Sequence, residues 1–534
     1  MTEQHRFGRS CGRSRWCAVA LVLSVAGLWA DGCSAGGSSH ASAGSAAGRP
    51  AATGPLSVTI DPSRPGAPVP GRFVGLSFEA STLDAFARLS GRGDLVRLLR
   101  SLGPGLIRFG GSSADTRAAW VDRYSPRPPW ASAIVTAQML RGIGQLARRS
   151  GWQVLLTVGL AHYDPAAAAR EVAAAHAALG RYLQAVEIGN EPDSFHTHRL
   201  RGPSWGVGEY LRELAAYRRA IARLTPGIAL DAPDVSGEHA FERWVAPVVA
   251  RAHPPLLTGH HYPLGCRSVP PASISRLLGR RVRRGESRVL TRFRRLSVAT
   301  GVPFRLDETG SVSCGGTPGI SDTFASALWA LDIATRAMTT GLAGINFEGN
   351  LLHCNTYTPI CASDPARLSG GALEPRPEWY ALLTSSQLVG DRPIAVRTSP
   401  ARADVDVFAL LAPRGAVKLV VIDQAPPGAR AAQLRIGVGT RLATARILAL
   451  TAPSLRAHVG VRLGGAAVRA DGSWSPGRLP LYRAHDGTIA LSVPAASAAL
   501  VTLGVAQPRG RAHRHGVGVT RGRGRAAHRR RAGA

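Results

Sequence analysis

Between Phe73 and Asn350 apolar and polar positions recur in one order. A short run rich in β-branched and aromatic residues closes on polar residues, and an Ala/Leu/Arg stretch of helical spacing follows. The runs are FVGLSFEA (73–80), LIRFGGSSAD (106–115), VLLTVGLA (154–161), AVEIGNEPD (185–193), IALDAPDV (228–235), LLTGHHYP (256–263), PFRLDETGS (303–311) and GINFEGN (344–350). An eightfold βα alternation of this length predicts an α/β fold, a (β/α)8 TIM barrel, with PEWYALLTSSQLVG (377–390) as its last helix. Polar residues fall at the strand C-termini, where the βα loops of such barrels open and catalytic side chains sit.

After residue 390 the helical period stops. VDVFALLAP, VKLVVIDQ, LRIGVG, ARILALTAP, AAVRADGSW and TIALSVPAASAALVTLG are short strands between Gly/Pro turns, which predicts an all-β sandwich over 391–506 behind a barrel over 55–390. LSVTIDP (56–62) precedes the first barrel strand and is expected to pair with that sandwich.

The ends obey another logic. Arg6, Arg9, Arg13 and Arg15 lead into the apolar block Cys17–Ala30, the layout of an export signal over 1–33 and too short for a membrane span. Asp31-Gly32-Cys33 resembles a bacterial lipidation site, with Cys33 as the acceptor. Residues 34–54 form a Ser/Gly/Ala tether. The expected location is therefore extracellular or anchored at the cell envelope, with no transmembrane helix once the signal is removed.

Composition changes the picture in two places. The net charge of +31 is partly local: Arg509–Arg531 holds nine arginines and no acid, and the stretch 507–534 reads as a disordered basic tail suited to anionic envelope polymers. The body is basic too, which favours encounter with acidic substrates, yet no nucleic-acid recognition motif is present. Beyond the leader stand four cysteines, Cys266, Cys314, Cys354 and Cys361; two disulfides fit an exported chain, three pairings are open, and the spacing is not that of a zinc site. No metal triad or phosphate loop is evident, so neither metal nor cofactor is expected.

Two carboxylates carry the chemistry. Glu191 ends the fourth strand beside Asn190, and Glu308 ends the seventh beside Asp307; these strands face each other across a barrel mouth. A glycosidic bond needs one carboxyl to protonate the leaving oxygen and one to attack or to activate water. Asp193 is read as a cap for the following helix, and Asp115 as a weaker site candidate.

GNEP at strand four with a Glu at strand seven resembles the large clan of retaining barrel glycosidases. RFGGSSAD, HHYP, LDETGSVSCGGTPGISDTFASALWALD and YTPI narrow the resemblance to glycoside hydrolase family 79, the heparanases and β-glucuronidases, over Leu56 to about Gly504. The resemblance implies Glu191 as acid/base, Glu308 as nucleophile, and Asn190 on the sugar 2-hydroxyl. It implies Tyr262 and Arg108 around the nucleophile, Glu79 and Ser112 on the cleaved sugar, and Ser313, Cys314, Gly315 and Tyr357 as a carboxylate pocket. Ser313 stands where the family pattern has a tyrosine. Cys266 and Cys314 follow neighbouring strands, so a bridge between them, with Cys354–Cys361 closing the loop after strand eight, is expected.

The reading is an exported retaining exo-β-glucuronidase acting on a uronic-acid carbohydrate. Its alternatives are a heparanase-like endo-glycosidase or an exo-enzyme for another sugar, and, outside enzymes, an envelope glycan-binding protein, which has no need of both glutamates.

Overall fold

A computed structural model describes residues 54–437 and 442–505. The expected leader with Cys33, the tether up to residue 53 and the basic tail 507–534 lie outside the described residues.

The eight barrel strands are Val74–Glu79, Leu106–Gly110, Gln153–Val158, Leu183–Ile188, Ala232–Val235, Leu257–His261, Phe304–Thr309 and Gly344–Gly349. They are parallel and ordered four-three-two-one-eight-seven-six-five. The ring closes where Val186 N–H donates to Ala229 O (2.9 Å) and Asp231 N–H to Val186 O (3.0 Å). Burial on both faces explains why most of these strands read as near-continuous apolar runs. Strand five begins only at Ala232, later than its sequence run, and its register with strand six shifts between Pro233, which has no N–H to give, and Val235.

Helices follow the strands on the outside. Leu83–Leu89 is tied down by Phe86, whose ring lies 4.5 Å from Phe78 and 5.0 Å from Phe109; truncating such a buried ring costs about 3–5 kcal/mol. Phe324–Thr340 is apolar all round rather than on one face, because it packs against the barrel on one side and sandwich strands on the other.

In the sandwich, Val417–Asp423 lies between Val405–Leu411 and Ser497–Val505, all antiparallel. The run AAVRADGSW (466–474), expected as a strand, is instead a loop that turns back on itself at Gly472, where Arg469 and Ser473 hydrogen-bond to each other. Leu56–Asp61 joins this layer, antiparallel to Arg392–Ser399 and parallel to Ala432–Gly437. The barrel unit drawn at 55–390 therefore gives up its first strand: the barrel itself begins at Val74, because the alternating burial of Leu56–Asp61 needs the sandwich core. Asp406 fastens the two layers, accepting from Arg283 (2.5 Å) and Arg336 (2.9 Å) of two barrel helices.

Candidate active site

The C-terminal mouth of the barrel gathers its polar residues around one guanidinium. Arg108, on strand two, has no exposed surface. Its Nε reaches Glu187 and Asp307 at 3.0 Å each, Nη1 reaches Glu308 (2.8 Å) and Ser77 (3.2 Å), and Nη2 reaches Asn190 and Asp234 at 2.8 Å each. Burial opposes its charge, but Asp234, Glu187, Asp307 and Glu308 together hold the proton more firmly than in a free arginine. Arg108 thus lies beneath the mouth, in contact with Glu308, and acts on a ligand only through the carboxylates it orients.

Strand seven presents two consecutive carboxylates to this cation, although alternation would send one of them outward. Its register against strand six shifts between Leu306 and Glu308, and the irregularity turns both Asp307 and Glu308 inward. Glu308 is held at both oxygens, by Arg108 and by the Tyr262 hydroxyl at 2.9 Å.

Glu191 sits in the left-handed region at φ 50°, ψ 52°. For a non-glycine residue this costs of order 1–3 kcal/mol, offset by a hydrogen bond from its N–H to Asp234 O at 2.9 Å. Glu191 Oε1 lies 2.9 Å from His260 Nδ1, and His260 Nε2 lies 2.7 Å from Asp234 Oδ1. Burial would strip His260 of its proton, but Glu308, then Asp234 and Glu191, keep its pKa well above the ordinary imidazole value. Burial likewise raises Asp234, yet Arg108 and His260 overcome it and bring the carboxyl down to about 2. Asp307, buried against Glu187 and Asp234, is pushed well above the usual carboxylate range. One oxygen each from Glu191 and Glu308 and one His260 nitrogen all lie within 4.8 Å of one another.

Other expected residues take these positions. Asn190 Oδ1 is fixed by Arg108 and its N–H by Asp115 Oδ2 (2.7 Å), leaving Nδ2 as the donor on offer. Asp115 is a buried brace, accepting also from Leu160 and Ala161 N–H. Glu79 accepts from Ser113 N–H (2.7 Å) and the Ser112 hydroxyl (3.3 Å); Gly111 at φ 66° is required there, since a Cβ would lie 2.7 Å from the Glu79 carboxyl carbon. Asp193 does not cap the next helix. It accepts from Ser236 N–H (2.9 Å) and the Ser236 hydroxyl (2.6 Å), because the chain makes a 3-10 turn at 192–194 before that helix begins at Val207.

In the loop after strand seven, Gly315 N–H donates to the Tyr357 hydroxyl at 2.9 Å, so this amide is already engaged. The Ser313 hydroxyl accepts from Cys266 N–H at 3.1 Å. Disulfides join Cys266 to Cys314 and Cys354 to Cys361, with Cα separations of 5.9 and 5.4 Å. The first ties the strand-six loop to the strand-seven loop.

Sequence reasoning passed over His260, Asp234, Glu187 and Glu348. Each is a polar residue within an apolar strand near its C-terminal end, the signal that singled out the two glutamates. Glu348, on strand eight, is buried with Oε2 free of partners among the described residues. Burial, then Glu308 and Glu79, raise its pKa well above the carboxylate range.

No family model matches the chain. A Neurospora crassa protein named Beta-glucuronidase is 25% identical over 275 residues, which is 48% of this chain and 46% of that relative. An Aspergillus niger Beta-glucuronidase is 23% identical over 261 residues, 44% of this chain and 47% of that relative. The chain thus spans about half the length of the curated relatives it matches. Among solved structures, a 4-O-α-L-rhamnosyl-β-D-glucuronidase from Fusarium oxysporum aligns with TM-score 0.67 at 18% identity, covering 84% of this chain and 100% of that one. An arabinofuranosidase from Xanthomonas axonopodis pv. citri aligns with TM-score 0.60 at 14% identity, over 84% and 99%. In fold, the chain stands with the (β/α)8-barrel glycoside hydrolases.

Proposed function

We propose that this chain is an exported retaining glycoside hydrolase of family 79, an exo-enzyme that removes terminal β-linked glucuronic acid. The observation that carries the reading is the Glu191–Glu308 pair, with an oxygen of each within 4.8 Å across the mouth. Retaining enzymes hold their carboxyls ~5–5.5 Å apart, whereas inverting ones need ~6.5–9.5 Å to admit a water.

In the first step the Glu308 carboxylate bonds to the anomeric carbon while the glycosidic C–O bond breaks, and a proton passes to the leaving oxygen. Glu191 and His260 hold that proton between them at 2.9 Å. Because Glu308, 3.7 Å from His260 Nδ1, is one of the charges keeping it on His260, neutralising Glu308 by ester formation loosens the proton as the leaving oxygen needs it. In the second step water bonds to the anomeric carbon and gives its proton to Glu191, and Glu308 departs as the carboxylate. Asn190 Nδ2 is offered to the sugar 2-hydroxyl, a contact that strengthens as charge develops at the anomeric centre.

The choice of glucuronate draws on the names of the two fungal relatives and on the tyrosine pair Tyr262 and Tyr357, whose rings lie 5.9 Å apart beside Glu308. Export draws on the order of Arg6–Arg15 and Cys17–Ala30 and on the two disulfides. No helix among the described residues is long and apolar enough to cross a membrane.

The test is a panel of aryl β-glycosides with the wild type and Glu308→Ala, with the product anomer followed by proton NMR. Release from the glucuronide alone, with β-anomer appearing first and activity lost in the variant, is expected. Turnover of a different glycoside would replace the sugar assignment, and no turnover at all would favour a glycan-binding protein.

A further inference from the structure

A second cavity, of about 490 Å³, opens between the segment after strand two and the helix Pro165–Leu179. It shares Asp115 with the candidate active site, as part of its wall. Glu171 lines it, 7% exposed, and among the described residues no donor or cation reaches its carboxyl. Buried carboxyls are normally paired, and an unpaired one costs stability. The adjacent Arg170 is spent elsewhere, on Asp122 at 2.9 Å and on the Ser125 hydroxyl.

Aromatic rings share the rest of the wall with alanines, prolines and a few polar side chains. Trp130 stacks on His162 at 3.7 Å, Trp120 forms part of the wall, and Tyr124 and Tyr163 stand at the rim 65% and 52% exposed. Ring faces beside a few polar groups suit a ligand with an apolar face and edge hydroxyls. Asp115 and Asp164 line the same cavity with no lysine or arginine beside them, so an anionic ligand would meet like charge and no strong cation.

We propose that this cavity is a second saccharide site, taking a neutral pyranose whose hydroxyls pair with Glu171 and whose ring lies against the aromatic rim. The proposal rests on the hydrolase reading only in taking the ligand to be a sugar. It assigns the cavity a preference opposite to that proposed for the barrel mouth, neutral rather than uronic.

Titration of tryptophan fluorescence in the full chain tests it, with methyl β-D-glucopyranoside, its glucuronide counterpart and tetramethylammonium as probes, in wild type, Glu308→Gln and Glu171→Leu. The glucoside should perturb fluorescence in wild type and Glu308→Gln and bind at least tenfold more weakly to Glu171→Leu. That variant should melt at or above the wild-type temperature, because it loses an unpaired buried carboxyl. Equal glucoside binding by Glu171→Leu, or none by wild type, overturns the site; a Glu171-dependent response to tetramethylammonium alone makes it an organic-cation site and equally overturns the proposal. Aryl glycoside turnover is scored separately. Its absence alongside Glu171-dependent glucoside binding would remove the hydrolase and leave this site, and the converse would remove this site alone.

Discussion

His260 Nδ1 lies 2.9 Å from Glu191 Oε1, and the imidazole is fully buried with its far nitrogen on Asp234. A strand-six histidine is thereby coupled to a strand-four carboxylate that the chain holds in a strained backbone conformation.

His260→Gln keeps a hydrogen bond to Glu191 but cannot hold a proton. The variant should lose about 100-fold in kcat/KM on an activated aryl glycoside, the low end of the range for a positioned acid/base group, and its alkaline limb should move. A stability effect accompanies it. Because the folded pKa lies above the unfolded value of about 6.5, His260 stabilises the fold fully below that pH and ceases to do so as pH rises through its raised value. Melting temperature should thus fall less between pH 6.5 and 10 in His260→Gln than in wild type. Parallel slopes would show that His260 carries no bound proton.

Arg108→Met leaves Glu187, Asp234, Asp307 and Glu308 without their shared cation. Removing one partner of a buried ionic network costs about 3–5 kcal/mol, so chemical denaturation should show a loss of that size. Arg108→Lys should recover only part of it, since one ammonium cannot reach partners set around a planar fork. Near-wild-type stability for Arg108→Met would mean the carboxyls are mostly protonated.

Glu286 and Glu378 are raised by burial to about 8 each. A carboxyl raised above its unfolded value of about 4.3 contributes stability below that pH and loses it as pH climbs through about 8. Glu378→Gln, which can still accept from the Ser326 hydroxyl, should therefore flatten the fall in melting temperature between pH 5 and 9. An unchanged slope would show that Glu378 does not titrate in that window.

Cys266→Ser with Cys314→Ser frees the loop carrying Gly315. A native disulfide contributes about 2–4 kcal/mol, and the amide held on Tyr357 borders the proposed sugar pocket. The expected kinetic signature is a KM raised severalfold with kcat reduced less, because Arg108 and Tyr262 still hold Glu308. Equal losses in both would place the loop's role in the chemical step.

Much of this was readable in the chain. Apolar runs ending in polar residues and separated by helical periods specify a barrel, because a parallel strand buried on both faces must be apolar until it reaches the open end. The same rule singles out Glu191 and Glu308. It fits His260, Asp234 and Glu348 as well, yet a single histidine or carboxylate in a strand does not announce its partners.

Those partners were decided in three dimensions. Arg108 was expected beside the nucleophile alone; its full burial, and the four carboxylates that offset the cost of it, come from strands that closure alone brings together. Asp193 looked like a cap because it precedes a helix, and the intervening turn sent it to Ser236 instead. Glu171, in the Ala-rich helix AAAAREVAAAHAAL, carried no local signal at all, since an unpaired buried carboxyl is defined by what surrounds it. The sequence determined which residues line the strands and where those strands end; the tertiary structure decided which charges meet, because burial and electrostatic coupling depend on neighbours remote along the chain.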